Sequence, residues 1–423
     1  MEYIHVKMSK LNVVYLALFL TSLAIAIFYS YIVIKLVSLN AFIILLVAYT
    51  IMVLFTVISR FPGAFLYNPT KYLKVSYQPA VTIVIPAYNE QDAIKPTILS
   101  ALSVDYPKDK LEVIVVNDGS TDNTAAYINE MLKEHKFTFI DCKENRGKRY
   151  ALYEGFKKAN GSIVAVMDSD TLLAKDFVRE IVKPFKNSEI GGVCGHANVI
   201  QENTLSKMQE TNYFTGFHLY KKYEALFDSV TCLSGCGSAY RKKAVLEFLD
   251  EWINQKFLGV KCTYGEDRGL TTLLLRNGWK TVYLPQARTS THAPLTIKGL
   301  LKQRLRWRKS FNREVLWQSK FMYKRKKGFP VIFYTYAITN MLSPLVALGL
   351  VFILPLFAGL SVLPFYLVGV LIVAAAYTSY SKLYDEDFSG VYMFLWVIFN
   401  LTIMQFLAVY AWFNMKDNGW GTR

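Results

Sequence analysis

The sequence predicts an α/β domain, a doubly wound sheet with helices on both faces, inserted between groups of membrane-spanning helices. Three observations carry that prediction. Apolar, nearly uncharged blocks stand at both ends of the 423-residue chain, each near the ~20 residues that a spanning helix needs. Between them, apolar runs of strand length alternate with helical patterns, as a doubly wound sheet requires. The chain is also 53% hydrophobic yet carries 48 Lys and Arg against 32 Asp and Glu, a net charge of +16. That combination suits a membrane protein with a basic cytoplasmic face. No nucleic-acid motif accompanies the charge, so nucleic acid is not an expected partner.

Residues 1–10 are polar, with Lys7 and Lys10, and apolar blocks follow at 11–34 and 36–58. A cleaved leader does not fit, because the first block is too long and a second span follows at once. Residues 1–60 therefore read as a transmembrane hairpin. Lys7 and Lys10 before it, with Arg60, Lys71 and Lys74 after it, put both ends in the cytoplasm.

Residues 61–296 read as the cytosolic α/β domain. A strand at 80–85 runs into Pro86-Ala-Tyr-Asn-Glu90, and a helix to about 104 tolerates Pro96 near its start. A second strand at 111–116 runs into Asn117-Asp-Gly-Ser-Thr-Asp122, a turn plus N-cap for a helix to about 135. A third strand covers 137–140, and Asn145-Arg-Gly-Lys-Arg149 opens the next helix. Then comes the stretch around which the chain is organised, 161–171, an apolar strand ending in Asp168-Ser-Asp170. Ligands of such sheets bind beyond the carboxyl ends of the strands. Glu90, Asp118, Asp168 and Asp170 all fall there, and that convergence is more specific than any single carboxylate.

A helix to about 186, a strand at 191–199 and an aromatic-rich helix at 204–227 follow. Packing against a sheet or the bilayer is the plain role for those aromatics, and sugar stacking the alternative. Two loops come next, 233–238 and Tyr264-Gly-Glu-Asp-Arg268, the second opening a helix through Arg276. Its acids thus lie at the positive end of a helix dipole. The five cysteines (Cys142, Cys194, Cys232, Cys236, Cys262) include no CxxC pair, so reduced thiols without zinc are expected.

Residues 297–330 hold twelve Lys or Arg before 328 against Glu314 as the sole acid. They read as basic amphipathic helices at a membrane interface, in contact with lipid. Helical spacing puts Gln303, Arg306, Trp307, Ser310 and Glu314 on one face. Beyond a lipid-facing role, that face allows a diphosphate clamp with an aromatic platform. Residues 331–423 return to membrane helices at 331–358, 363–380 and 391–413, the last two separated by Asp385-Glu-Asp387. Three crossings would leave Arg423 outside, whereas a re-entrant last segment would keep it in the cytoplasm. The terminal Lys and Arg favour the second arrangement.

These parts fit a nucleotide-diphosphate sugar donor. Asp168 and Asp170 offer hard oxygen ligands for a divalent cation shared with phosphates. Lys148, Arg149 and Arg306 are the candidate cations for the diphosphate. Ala87, Tyr88, Glu90 and Asp118 could hold base and ribose. Transfer to a hydroxyl needs a general base opposite the leaving group. Asp267 is the choice, with Glu266 the alternative.

Pro86-Ala-Tyr-Asn-Glu90, Asn117-Asp-Gly-Ser120, Asp168-Ser-Asp170, Gly265-Glu-Asp-Arg268 and Gln303-Arg-Leu-Arg-Trp307 together resemble the processive family 2 glycosyltransferases. Those include cellulose, chitin and hyaluronan synthases. Asn145-Arg-Gly-Lys-Arg149, Trp252-Ile-Asn-Gln-Lys-Phe-Leu-Gly259, Arg306-Trp-Arg-Lys-Ser-Phe-Asn-Arg-Glu314 and the ending Trp420-Gly-Thr-Arg423 are most similar to the bacterial hyaluronan synthases. The resemblance spans nearly the whole chain. It implies a GT-A (Rossmann-like) domain and an Asp-x-Asp that binds Mg²⁺ or Mn²⁺ with UDP. It places the base on Asp267 and implies that Gln303, Arg306 and Trp307 close over donor and acceptor. It also implies UDP-GlcNAc and UDP-GlcA as substrates, and a channel of membrane helices that secretes the growing polysaccharide. Two positions depart from the pattern: Glu266 replaces an Asp, and Cys236 replaces a Pro beside the acceptor, which touches sugar specificity. A chitin-like or poly-GlcNAc polymerase is the alternative within the fold. A lipid-linked monosaccharide transferase needs no acceptor channel, and a transporter or scaffold needs no acidic constellation.

Overall fold

The computed structural model describes residues 41–353, 355–356, 362–384 and 389–419. The first apolar block, the start of the second, the acidic loop at 385–387 and the ending at 420–423 lie outside the described residues. The described residues divide into two compact units: those within 41–62, 201–215 and 331–413 in one, and those within 63–200, 216–330 and 414–419 in the other.

The second unit is built on an eight-stranded sheet, ordered β3-β2-β1-β4-β7-β6-β10-β5. Its strands are β1 (Val81–Ala87), β2 (Leu111–Asp118), β3 (Thr138–Cys142), β4 (Ile163–Val166), β5 (Thr171–Leu173), β6 (Ile190–Val199), β7 (Ser238–Arg241) and β10 (Lys280–Thr291). A two-stranded hairpin, β8 (Lys256–Phe257) and β9 (Val260–Lys261), stands apart. Strands β3, β2, β1 and β4 pair in parallel. β1 and β4 are buried at every residue, as unbroken apolar runs inside a parallel sheet should be. The sheet is not parallel throughout, which corrects the simplest reading of the sequence. β7 runs antiparallel to both β4 and β6, and β5 antiparallel to β10. β5 follows β4 through a tight turn, too short for the crossover that a parallel neighbour needs. β7 follows β6 only after the helical stretch at 204–225 and the loop at 226–237, so connection length does not set its direction.

Helix α1 (Ile94–Leu102) buries Ile94, Thr97, Ile98 and Ala101, an i, i+3, i+4, i+7 stripe. Helix α2 covers Thr124–Met131 and α3 Lys148–Lys158. α3 lies close on β1: a Cβ on Gly155 would stand 2.3 Å from Val84 Cγ1, so only glycine permits this approach. After β1, the chain visits β2 and β3 on one side, then crosses to β4 on the other. The topological switch point therefore lies between the carboxyl ends of β1 and β4, where α/β sheets bind ligands. Helix α4 (Phe177–Ile181), followed by a 3₁₀ turn at Lys183–Lys186, fills the region expected to be one helix. Helices α5 (Glu266–Arg276) and α6 (Ile297–Gln318) complete this unit's site. The aromatic stretch from Thr204 is α-helical to Phe214, π-helical over Thr215–Lys221 and α-helical again over Lys222–Ala225.

The first unit is helical. Ala41–Ile58 donates Tyr49 Oη to the Thr339 carbonyl at 3.3 Å, and Ser343 Oγ donates to Gln405 Oε1 at 3.0 Å. Phe61 packs edge-on against Tyr380 at 4.9 Å. Pro344 sits inside Phe329–Leu348, and a π-helical turn at Gly349–Ile353 follows, one way a helix absorbs a missing N–H. Among the described residues, four segments are long and apolar enough to cross a membrane: Ile51–Leu73, Phe329–Ile353, Tyr366–Leu383 and Gly390–Phe413. Ile51, Leu356, Leu367, Val391 and Phe413 are exposed on them or beside them, the kind of apolar surface that a lipid-facing helix needs.

Candidate active site

The site is assembled at the switch point. Asp168 and Asp170 occupy the turn between β4 and β5, and Thr97 Oγ1 donates to the Ser169 carbonyl at 2.9 Å. Thr291 on β10 donates to Asp170 Oδ1 at 3.4 Å. Lys148, the first residue of α3, reaches across. Its Nζ lies 2.5 Å from Asp168 Oδ1 and 2.7 Å from Glu266 Oε1. Burial alone would pull this ammonium down, but the Asp168 and Glu266 carboxylates reverse that and hold it above its ordinary value. Burial likewise opposes ionisation of Glu266, yet Lys148, and more weakly Arg306, keep it well below the usual carboxylate range.

Asp267 follows on the first turn of α5. Its Oδ1 accepts from the Arg268 N–H at 2.7 Å, and Cys232 Sγ donates to Oδ2 at 3.6 Å. Burial, and next the adjacent Glu266 charge, push Asp267 up, against the pull of Lys148 and Arg268. One carboxylate of the pair is thus held ionised and its neighbour made a better proton acceptor, a division of labour typical of acid–base sites. α5 starts from Gly265 in the left-handed region, φ +75°. A Cβ there would stand 2.0 Å from Ser310 Oγ, so α6 is packed directly against the carboxylate turn.

The loops after β1 and β2 are clamped together. Asn89 takes φ +53°, a region Asn tolerates. Its N–H donates to Ser120 Oγ at 2.9 Å and its Oδ1 accepts from the Thr121 N–H at 2.9 Å. The Glu90 N–H donates to Thr124 Oγ1 at 2.7 Å. Ala87 is buried at the end of β1, and Tyr88 and Glu90 are half-buried beside it. Asp118 is buried, its two oxygens accepting from the Arg146 and Gly147 N–H groups at 3.0 and 2.7 Å. Burial pushes it up despite those bonds. Its carboxylate fixes the loop that presents Lys148.

Arg149 is placed otherwise than expected. Its guanidinium is buried and turned inward, donating to the Trp252 carbonyl at 2.8 Å, Gln255 Oε1 at 2.6 Å and the Gly265 carbonyl at 3.4 Å. Lys148 alone of the two adjacent cations meets Asp168. On α6, Arg306 is half-buried and Trp307 is exposed, and Gln303 Oε1 is buried with no hydrogen-bond partner among the described residues. The helix is not a surface element along its whole length: 309–315 are all buried, because they pack on the α5 turn and the chain's end. There Lys309 pairs with Asp417 at 2.5 Å, and Tyr264 Oη donates to the Asp417 carbonyl at 2.6 Å.

The carboxylates fit a hard divalent ion. Lys148 already stands as a cation against Asp168, and both acids offer oxygen donors. Among the described residues no group of three or more His, Cys, Asp or Glu side chains encloses a metal position. Two carboxylates with the other positions left to phosphate and water is the usual arrangement for Mg²⁺ at nucleotide sites.

Residues 82–249 match the description "Glycosyl transferase family 2". The chain contains a family 2 glycosyltransferase domain. It is 28% identical to an N-acetylglucosaminyltransferase of Azorhizobium caulinodans over 351 residues, 82% of this chain and 87% of that one. It is also 28% identical to a hyaluronan synthase of Streptococcus pyogenes over 382 residues, 85% of this chain and 86% of that one. Among solved structures, a mannosyltransferase of Pyrobaculum calidifontis, in complex with GDP-Man and Mn²⁺, superposes with a TM-score of 0.52 at 21% identity, covering 83% of this chain and 98% of that one. That likeness establishes a GT-A-like fold with a curled mixed sheet for the family 2 domain.

Several residues of the site escaped the sequence reading. Gly235 backs the Asp168–Lys148 pair: a Cβ on it would lie 3.0 Å from Asp168 Oδ1 and 3.1 Å from Lys148 Nζ. The glycine–serine loop at 233–238 was a visible turn signal, but nothing in it named its neighbour. Gln255 and Glu314 are joined at 3.2 Å beside Arg149; helical spacing put Glu314 on the Gln303–Arg306 face, but nothing in the sequence paired it with Gln255.

Proposed function

We propose that this chain is a processive, inverting membrane glycosyltransferase that polymerises hyaluronan from UDP-GlcNAc and UDP-GlcA and secretes it through its own helices. The observation that carries the reading is the contact chain Asp168–Lys148–Glu266. It joins the donor carboxylates to the base-bearing turn of α5. In this reading Mg²⁺ or Mn²⁺, when bound, neutralises the diphosphate and so stabilises its departure. Asp168 and Asp170 would hold it. Lys148 supplies a cation to the phosphate oxygens, and the half-buried Arg306 a second one from α6. Ala87, Tyr88, Glu90 and the loop fixed by Asp118 hold base and ribose. Asp267 accepts the proton of the acceptor hydroxyl. The hydroxyl oxygen bonds to the sugar's anomeric carbon from the face opposite UDP, and the carbon–oxygen bond to UDP breaks with its electron pair. Gln303 and Trp307 cover donor and acceptor and exclude water. The basic residues Arg60, Lys71 and Lys74 beside the first described helices favour a cytoplasmic catalytic domain.

A second reading is a single-sugar polymerase making a chitin-like or poly-GlcNAc chain. Two features favour it: the equal identity to an N-acetylglucosaminyltransferase, and Cys236 where the hyaluronan synthases it resembles carry a Pro. Purified protein given each UDP-sugar alone and then both decides between them. The hyaluronan reading predicts polymer only when both are present. Polymer from UDP-GlcNAc alone, unaffected by UDP-GlcA, would establish the second reading.

A further inference from the structure

Lys148 stands where a cation is required, and it is already engaged. Its ammonium touches Asp168 at 2.5 Å and Glu266 at 2.7 Å, and Glu266 is nearly inaccessible to solvent. Gly235 lies against the pair, and a Cβ there would stand a tight 3.0 Å from Asp168 Oδ1 and 3.1 Å from Lys148 Nζ. An ion coordinating the same carboxylate would meet the ammonium at close range, where like-charge repulsion is large and poorly screened. The two cations therefore compete for Asp168. Lys148 gives up one of its two carboxylate partners when it leaves Asp168, and the oxygens of an arriving diphosphate can replace that partner.

We propose that Lys148 is a built-in counter-ion that closes the metal-binding carboxylate to free divalent ions until a nucleotide diphosphate enters. The proposal rests on the donor-site reading above. In the empty protein the ammonium neutralises Asp168. When nucleotide and ion enter together, the ammonium passes to the phosphate oxygens and Asp168 is released to the ion. Glu266 keeps the lysine tethered during the exchange, because its contact does not involve the donor. Gly235 limits where the lysine can go. The site therefore rejects an ion that arrives without nucleotide and spares the protein two uncompensated carboxylates.

The test uses the full chain in detergent or nanodiscs and reads Mn²⁺ binding by electron paramagnetic resonance of the free ion, with and without UDP. In the wild type, UDP should tighten Mn²⁺ binding by about tenfold or more, and Mn²⁺ should tighten UDP binding by the same factor. Lys148→Gln keeps a hydrogen-bonding side chain but removes the charge. It should bind Mn²⁺ without UDP about tenfold more tightly than the wild type does, with the effect of UDP correspondingly smaller. Lys148→Met should do the same and guards against a folding defect of either variant. Mn²⁺ affinity without UDP that is unchanged or weaker in the variants overturns the proposal while leaving the donor site standing. Independent binding of UDP and Mn²⁺ to the wild type also overturns it, without any variant. Absence of saturable UDP binding in the wild type removes the donor-site reading itself, and the proposal with it.

Discussion

Replacing Asp267 with Asn should stop polymer synthesis while leaving UDP binding within a few-fold of the wild type. Asn has nearly the same shape and can still accept from the Arg268 N–H through its amide oxygen. It cannot take a proton. Loss of a positioned general base costs roughly 10²–10⁴ in rate, and the fall should appear in kcat rather than KM. The electrostatics of the turn add a pH signature. Burial and Glu266 raise Asp267 above its ordinary value. A raised base is protonated at low pH and inactive there, so kcat/KM should climb as pH rises through the Asp267 ionisation and then level off. That climb should be centred above the pH at which an exposed Asp titrates. A rate profile of the purified protein over the acid range checks the sign. Retained activity in Asp267→Asn would move the base elsewhere, with Glu266 the next residue to change.

Replacing Asp170 with Ala should be as severe, by a different route. Among the described residues two carboxylates, Asp168 and Asp170, stand at the proposed ion position, and departure of a diphosphate leaves charge that the acceptor side cannot neutralise. Removing one of two ligands should lower kcat/KM by about 10²–10³, the range of losing a principal electrostatic stabiliser. UDP binding should weaken together with Mn²⁺ binding, unlike Asp267→Asn. The two variants therefore separate by one measurement, nucleotide affinity in the presence of metal. Their combined loss should be far less than the product of the single losses, because both serve one transition state.

Much of this site was legible in the sequence because strand ends announce themselves. Unbroken runs of Val and Ile marked β1, β2 and β4, and in a parallel sheet the residues after such runs must share one edge. Hence Ala87–Glu90, Asp118 and Asp168–Asp170 could be grouped before any coordinates. Gly265 and the acids after it were likewise recognisable as a helix start. Three features were out of reach. The antiparallel placement of β5 and β7 is set by pairing with β10 and β4, strands far away in sequence, and local periodicity does not encode partner direction. The inward turn of Arg149 depends on Trp252, Gln255 and Gly265, more than a hundred residues away. A pair such as Lys148-Arg149 reads as two equal cations until burial separates them. The partial burial of α6 depends on Asp417 and Tyr264, which no heptad or helical stripe within 297–327 could report.

The measurement that tests the donor site most directly is an experimental structure of the full chain with UDP and Mn²⁺. The account predicts one ion coordinated by the carboxylates after β4 and by the diphosphate. It predicts Lys148 drawn from Asp168 to phosphate oxygen, and uracil against the loop following β1. Nucleotide bound away from the β1–β4 switch point, or bound there with Asp168 and Asp170 out of reach of the ion, would contradict it.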